Sequence, residues 1–241
     1  IEDITKLQEG FNVLSKLTSG SVNVVVKKDS TKFNNLNKIE LHQFKGPHPA
    51  GNVGIQIHHI DPINIGETVW YISPQDVIAI GELFLTGKYS TTKTITVGGS
   101  ELTHHGYVKI RKGQSINSII SNETISETSR VISGDVLAGE VISVENPIRF
   151  YDEIISVICD GGDRELLGWA QLGMSKYSLS NTFVSRLFGY KKSNFDTRLN
   201  GGERAIVPFG SWEAMIPMDI IPTYLIKSIL ARDIEEMEKL G

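Results

Sequence analysis

Two histidine pairs, His58-His59 and His104-His105, are the residues whose type most invites chemistry, since imidazole ligates metals, moves protons and donates hydrogen bonds. Neighbouring side chains diverge on a helix and oppose each other on a strand, so an i, i+1 pair chelates poorly. The i, i+4 spacing of an H-E-x-x-H zinc site is absent. A metal site would have to be assembled across the fold, from His48, His58 and Asp61, and none is expected. Cys159 ends an apolar run before Asp160-Gly161-Gly162 and reads as a small core hydrophobe rather than a nucleophile. As the single cysteine, it also excludes an internal disulfide framework or an all-cysteine iron–sulfur or zinc site within these residues. There is no G-x-S-x-G, and no carboxylate pair whose separation the sequence fixes. No G-x-G-x-x-G follows a strand, so there is no dinucleotide fingerprint. Gly81 to Gly87-Lys88 imitates a phosphate loop, but it is one residue too long and Tyr89 stands where the magnesium-binding hydroxyl belongs. No catalytic residue is assigned.

Two glycine-rich turns are more distinctive. Phe44-Lys45-Gly46-Pro47-His48-Pro49-Ala50-Gly51-Asn52-Val53-Gly54 fixes an imidazole between two prolines, and Asn200-Gly201-Gly202-Glu203-Arg204-Ala205 is a second restricted stretch. Each restricts the backbone more than a plain connection requires. Tight packing between modules is the alternative reading of both.

The elements that must position these residues follow from periodicity. Ile4, Leu7, Phe11, Leu14 and Leu17 predict a helix that stops at Gly20, with Gly10 weakening it. Val22 to Val26 and Ile39 to His42 read as strands, and Val53, Ile57 and Ile60 mark a helix beyond the first turn. Trp70-Tyr71-Ile72 reads as a buried strand leading to Ser73-Pro74, a strong helix start, with the helix running to Gly87. Strands at Thr94 to Val97, Tyr107 to Ile110, Val131-Ile132 and Val141 to Val144 surround a short helix from Ser115 to Ile120. Further strands are expected at Ile154 to Ile158 and Leu166 to Ala170. The last helix opens at Asp233 with Glu236 three residues on, a capping-box pattern.

The organisation read from this is α/β and α+β in three modules: 1–92 an incomplete α/β layer, 93–145 a compact β-rich domain, and 146–241 a mixed module ending in helices. At 241 residues, with 40% hydrophobic and 22% charged residues, the chain reads as folded and water-soluble. A formal charge of -4 gives no basic face for nucleic acid. The longest apolar stretch, Ile220 to Ile226, is too short to span a bilayer, and Ile1-Glu2-Asp3-Ile4 carries no signal peptide. A start without methionine raises the expectation that something upstream is missing.

Four stretches carry a family resemblance. They are Phe44 to Gly51, Ile57-His58-His59-Ile60-Asp61-Pro62, Trp70-Tyr71-Ile72 with Gln75-Asp76-Val77, and Asn200 to Ala205 with Met218-Asp219-Ile220-Ile221-Pro222-Thr223. In order across nearly the whole chain, they resemble the A-subunit family of the bacterial sodium-translocating NADH:quinone oxidoreductases. Lys45, Gly46, Pro47, Pro49, Asp61, Pro62, Gly201, Gly202, Arg204, Pro217 and Asp219 stand as structural positions of that pattern. Residues 94 to about 144 are similar to a soluble-ligand-binding (SLBB) β-grasp domain, on Thr94 to Gly99, Gly106-Tyr107-Val108, Lys112-Gly113 and Ile132-Ser133-Gly134. That pattern usually has proline where His105 stands.

The resemblance implies a first module that is a partial Rossmann-like layer related to the flavoprotein subunit of respiratory complex I. It implies a peripheral subunit on the cytoplasmic side of the bacterial inner membrane, in a complex that passes electrons from NADH to ubiquinone and exports sodium. The expected partners are other subunits, above all a quinone-binding membrane subunit, with NADH, FAD, FMN and Fe–S centres held elsewhere and no cofactor in this chain. Quinone is the expected ligand, with His48, His58 and the backbone of Gly51 and Gly54 as candidate donors. The isolated chain is not expected to be catalytic, and the family's N-terminal part and extreme C-terminal tail are expected to lie outside it. The alternatives are a free-standing ligand- or protein-binding module and a fragment of a flavin-dependent NADH-oxidising relative.

Overall fold

Apolar residues at helical spacing form α1 (Ile4–Leu17), which lies against α3 (Pro74–Thr86). The contact is at backbone level: a Cβ on Gly10 would sit 2.2 Å from the Val77 carbonyl oxygen, and one on Gly81 would sit 1.8 Å from that of Lys6. Glycine in a helix costs about 1 kcal/mol relative to alanine. Here the two glycines let the helices approach until Leu7, Phe11 and Val77 are buried together. The computed structural model that shows this describes residues 4–240, apart from 122, 124–125, 162–165, 175, 178–181, 189–193, 195, 199–204 and 209.

The chain divides into two compact units, Ile1–Ser90 with Arg204–Gly241, and Thr91–Glu203. In the first, β1 (Asn23–Lys27) pairs in parallel with β2 (Glu40–Phe44), with Asn23 opposite Glu40. Leu14, Val22, Val24, Phe33, Leu36, Ile39 and Ile78 extend the apolar cluster around Leu7. A glycine-containing turn leads from β2 into α2 (Val53–Ile60). The α3 helix begins as the sequence predicts: Ser73 Oγ accepts from the Asp76 N–H at 3.3 Å, with Pro74 next. It ends at Gly87, whose φ of 71° and N–H to the Leu83 carbonyl form a left-handed cap. The helices α5 (Pro222–Ala231) and α6 (Ile234–Leu240) close this unit. Asp233 Oδ1 accepts from the Glu236 N–H at 3.1 Å, the predicted cap of α6.

Trp70-Tyr71-Ile72 corrects the sequence reading. The segment is neither a strand nor buried: Trp70 is 83% exposed and Tyr71 72%. Its aromatic and β-branched residues favour extension, but no neighbouring strand pairs with it among the described residues, and without a partner extension makes no sheet.

The second unit is built on one mixed sheet of β3 (Thr92–Gly98), β4 (Gly106–Arg111), β5 (Ser129–Ser133), β6 (Glu140–Val141) and β7 (Ile154–Cys159). The strand order is β4-β3-β7-β5-β6; β3 and β7 are parallel and the other pairs antiparallel. The short helix α4 (Ile116–Ile119) packs Ile116 into a core with Ile95, Val97, Ile110, Val131, Ile155 and Val157. Central β7, with Ile155 and Val157 fully buried, comes from the segment that sequence alone assigns to the module after residue 145. Two further expectations are corrected. The strand beginning at Val141 stops there, and Leu166 to Ala170 is not a strand: Gly168–Ala170 form a 3-10 turn entered by Leu167 at φ 52°.

Candidate functional site

The first candidate site grows from the turn that follows β2. Gly46 to Asn52 is folded on itself by the Ala50 N–H to the Pro47 carbonyl (3.0 Å) and the Asn52 N–H to that of Pro49 (2.8 Å), and His48-Pro49 is a cis peptide. The Gln56 side-chain amide reaches back from α2 to the carbonyls of Ala50 and Gly51, at 3.4 and 3.3 Å. His48 is exposed on this turn beside Lys45, Gly46 and Pro47. Gly51 and Gly54 have open space where a Cβ would lie, so nothing in the described fold requires glycine at either.

Successive residues on a helix point about 100° apart. The rings of His58 and His59 meet edge-on, their planes at 89° and centroids 5.5 Å apart, and both reach one stretch of the C-terminal segment. His58 Nε2 accepts from the Asp219 N–H at 2.9 Å, and His59 Nε2 donates to the Pro217 carbonyl at 2.8 Å. A carbonyl can only accept and an amide can only donate. The two rings therefore hold opposite tautomers, with the proton on Nδ1 in His58 and on Nε2 in His59. Phe44 meets His59 edge-on at 6.1 Å. Histidines that cannot share a metal thus read two backbone groups two residues apart, and they join motif stretches more than 150 residues distant. Asp61 and Pro62 follow directly as α2 ends.

The C-terminal segment is held from its other side. Glu213 accepts from the Thr223 hydroxyl (2.6 Å) and N–H (3.3 Å) in the first turn of α5, with Thr223 buried. These bonds, with the hydroxyl foremost, hold the Glu213 carboxyl below its usual range. Pro217 and Asp219 lie between Glu213 and α5, so both ends of this stretch are fixed. Gly201, Gly202 and Arg204, the other half of the predicted pattern, lie outside the described residues.

In the second unit His104 and His105 also act separately. His105 Nε2 donates to the Gly99 carbonyl at 2.9 Å, closing the turn between β3 and β4. His104 Nδ1 lies 2.7 Å from Glu123 Oε1. The same carboxylate accepts the N–H groups of Thr103 and His104, at 2.8 and 3.0 Å. Those bonds, the Thr103 amide first and the His104 ring second, pull the Glu123 pKa from 4.5 down to about 2.

At the end of β5, buried Ser133 donates to Asp152 at 2.6 Å and accepts the Arg149 N–H at 3.0 Å. Arg149 also pairs with Asp152 and Glu140. Buried Lys93 donates to the Phe150 carbonyl at 2.9 Å. Burial pushes the Asp152 pKa up, but bonds from Arg149 and Ser133 and the charges of Arg149 and Lys93 outweigh it and hold the group below its ordinary value. No sequence motif marks this network, since Ser133 ends β5 and Arg149 and Asp152 lie in the loop before β7.

Cys159 ends β7 half-buried, its Sγ 3.9 Å from the Asp160 carbonyl, as a small hydrophobe near a turn. Gly81 lies inside α3 and Gly87 at its cap, so the phosphate-loop imitation has no loop. Among the described residues, no group of three His, Cys, Asp or Glu is arranged to hold a metal, His48, His58 and Asp61 included. No helix among them is long and apolar enough to cross a membrane.

The class defined by fold and sites is a two-unit α/β protein in which His58, His59 and His105 bind its own backbone. Residues 2–89 match the family described as "NqrA second alpha/beta domain", and residues 94–143 the one described as "NQRA C-terminal domain". The chain is 37% identical over 235 residues to the Na(+)-translocating NADH-quinone reductase A-subunit of Histophilus somni (strain 129Pt), covering 97% of this chain and 52% of that protein. It is 38% identical over 236 residues to the protein of the same description from Neisseria meningitidis, covering 97% and 53%. The Vibrio anguillarum protein is 37% identical over 235 residues, covering 96% and 52%. The chain belongs to the NqrA family, and it spans about half the length of the relatives it matches.

Proposed function

We propose that this chain is part of a peripheral subunit, on the cytoplasmic side of the bacterial inner membrane, of a respiratory complex that passes electrons from NADH to quinone and exports Na+. In this reading the subunit helps form the quinone site and braces the membrane subunits, one of which also binds quinone. FAD, FMN and Fe–S centres, and NADH itself, are held by other chains. The first ninety residues are then a partial Rossmann-like layer and residues 93–145 a β-grasp domain.

The observation that carries the quinone role is the pair of bonds from His58 and His59 to Asp219 and Pro217. They converge the turn, α2 and the C-terminal segment on half-buried His58, whose remaining proton sits on Nδ1. A quinone pocket needs an apolar enclosure and one or two donors to its carbonyl oxygens. His58 Nδ1–H, the His48 ring and the open backbone at Gly51 and Gly54 are the donors in this reading. The assembly role is supported by large exposed apolar side chains, among them Ile65, Trp70, Tyr107 and Trp169.

Quinone reduction by the assembled complex tests the site. Replacing His58 by Ala should raise KM for a short-chain ubiquinone about tenfold, since one lost hydrogen bond of ~1.4 kcal/mol is a factor of ten. Oxidation of NADH by an artificial acceptor should be unaffected. His59→Ala loosens the same contact without removing the donor and should leave KM near wild type. Unchanged KM in both His48→Ala and His58→Ala removes the two residues from the site.

A further inference from the structure

Taking the chain as part of a membrane-peripheral subunit, as proposed above, we infer that residues 166–188 present a lipid-contacting face that rests on the anionic surface of the bilayer. Within the second unit this stretch folds into a small knob. The 3-10 turn Gly168–Ala170 and a second one, Val184–Arg186, are tied together. The Val184 N–H donates to the Leu172 carbonyl at 3.0 Å, and the Ser185 hydroxyl to the Lys176 carbonyl at 2.6 Å. The Lys176 ammonium lies 3.5 Å from the Gly168 carbonyl and 6.0 Å from the centre of the Phe183 ring.

The knob is the reverse of a water-facing surface. Ser185 is buried, with its hydroxyl bonded inside. Leu166, Trp169, Leu172, Met174, Leu187 and Phe188 are instead exposed, from 66% for Met174 to 89% for Leu166. Exposed apolar side chains scattered singly are ordinary, but a group held together in one knob marks a contact surface.

Charge decides what covers it. The chain carries 28 acidic residues against 24 basic ones, yet residues 166–195 contain no Asp or Glu and four cations, Lys176, Arg186, Lys191 and Lys192. Arg186 is exposed, directly before Leu187 and Phe188. Trp, Leu and Phe beside Lys and Arg, without acids, suit the headgroup layer of an anionic bilayer. Apolar side chains enter the acyl boundary, aromatic rings sit at headgroup level and cations meet phosphates. In the first unit Ile63 to Ile72 is exposed as well, but it holds one acid, Glu67, and no cation. An anionic surface favours the knob over that stretch.

Sedimentation of the purified full-length subunit with vesicles is the test. It should bind phosphatidylcholine vesicles containing about 30% phosphatidylglycerol at least ~20-fold more tightly than phosphatidylcholine alone, and salt should weaken that binding. Arg186→Glu changes two charges at about fivefold each. It should lower binding to the anionic vesicles ~25-fold and leave binding to the neutral ones unchanged. Leu187→Glu should lower binding at least ~10-fold. Both positions are exposed, so both variants should melt with the wild type. Brominated acyl chains should quench the wild-type tryptophan fluorescence, and Trp169→Phe should remove most of that quenching. A wild-type subunit that ignores anionic vesicles, variants that bind like wild type, or quenching that survives Trp169→Phe overturns the inference. If that subunit still copurifies with membrane subunits, its proposed place in the complex stands. A Leu187→Glu subunit that no longer copurifies with them in detergent also overturns the inference, since the face would then meet protein. Vesicle binding through these residues by a subunit that copurifies with no membrane protein would sustain the lipid face and refute its place in the complex.

Discussion

Replacing Gly81 by Ala should destabilise the protein, although the same change stabilises an isolated helix by about 1 kcal/mol. The new Cβ would lie 1.8 Å from the Lys6 carbonyl oxygen, 2.7 Å from its carbon and 2.8 Å from the Gly10 nitrogen, all backbone atoms. An ordinary carbon–oxygen contact is about 3.3 Å, so α1 and α3 must separate by roughly 1.5 Å there. A gap of even 0.5–1 Å forfeits about a quarter to a half of a contact's attraction. Leu7, Phe11 and Val77 meet at this crossing, each worth about 1.5–3 kcal/mol when buried. Losing roughly a third to a half of that, set against the helix gain, leaves a net cost of about 2 kcal/mol, within the usual range for overpacking. Gly54→Ala is the control. Its Cβ meets nothing within 4 Å, it lies in α2, and it should stabilise by about 0.5 kcal/mol. Urea unfolding of the two variants beside wild type measures both. A stabilised or unchanged Gly81→Ala protein would show that the helices are not in backbone contact, and the packing argument would fail.

Other outcomes follow from the polar clusters. Because the folded pKa of Glu123, about 2, lies below its ordinary 4.5, its contribution is complete above pH 4.5 and is lost as pH falls through about 2. Melting temperature against pH should therefore fall less steeply over that window in Glu123→Gln than in wild type; parallel curves would refute this role. Ser133→Ala leaves the Arg149 N–H without its acceptor and Asp152 without one donor, at fully buried Ser133, and should cost about 1–3 kcal/mol in urea unfolding. The Asp152 carboxyl should then titrate at higher pH than in wild type, by carboxyl-carbon NMR. If its titration is unmoved, the hydroxyl is not what helps to hold it down.

Local rules made much of this fold legible, and the misses share one physical origin. Ser73-Pro74, Gly87 and Asp233 announce helix ends because capping is chemistry within four residues, and each is found as read. Gly10 is different. Judged by propensity it weakens α1, whereas its purpose lies at Gly81 and Val77, in a crossing that no local window contains. Trp70 to Ile72 and Leu166 to Ala170 have strand composition, but a strand is a relation between two segments, and among the described residues no second segment pairs with either. The histidines show both sides of this. That His58 and His59 make a poor chelating pair follows from 3.6 residues per turn. That one accepts from Asp219 while its neighbour donates to Pro217 depends on a segment some 160 residues away, and so do their opposite tautomers. The adjacent pair thus makes opposite use of one backbone stretch, and this asymmetry comes from the fold rather than from the order of the residues.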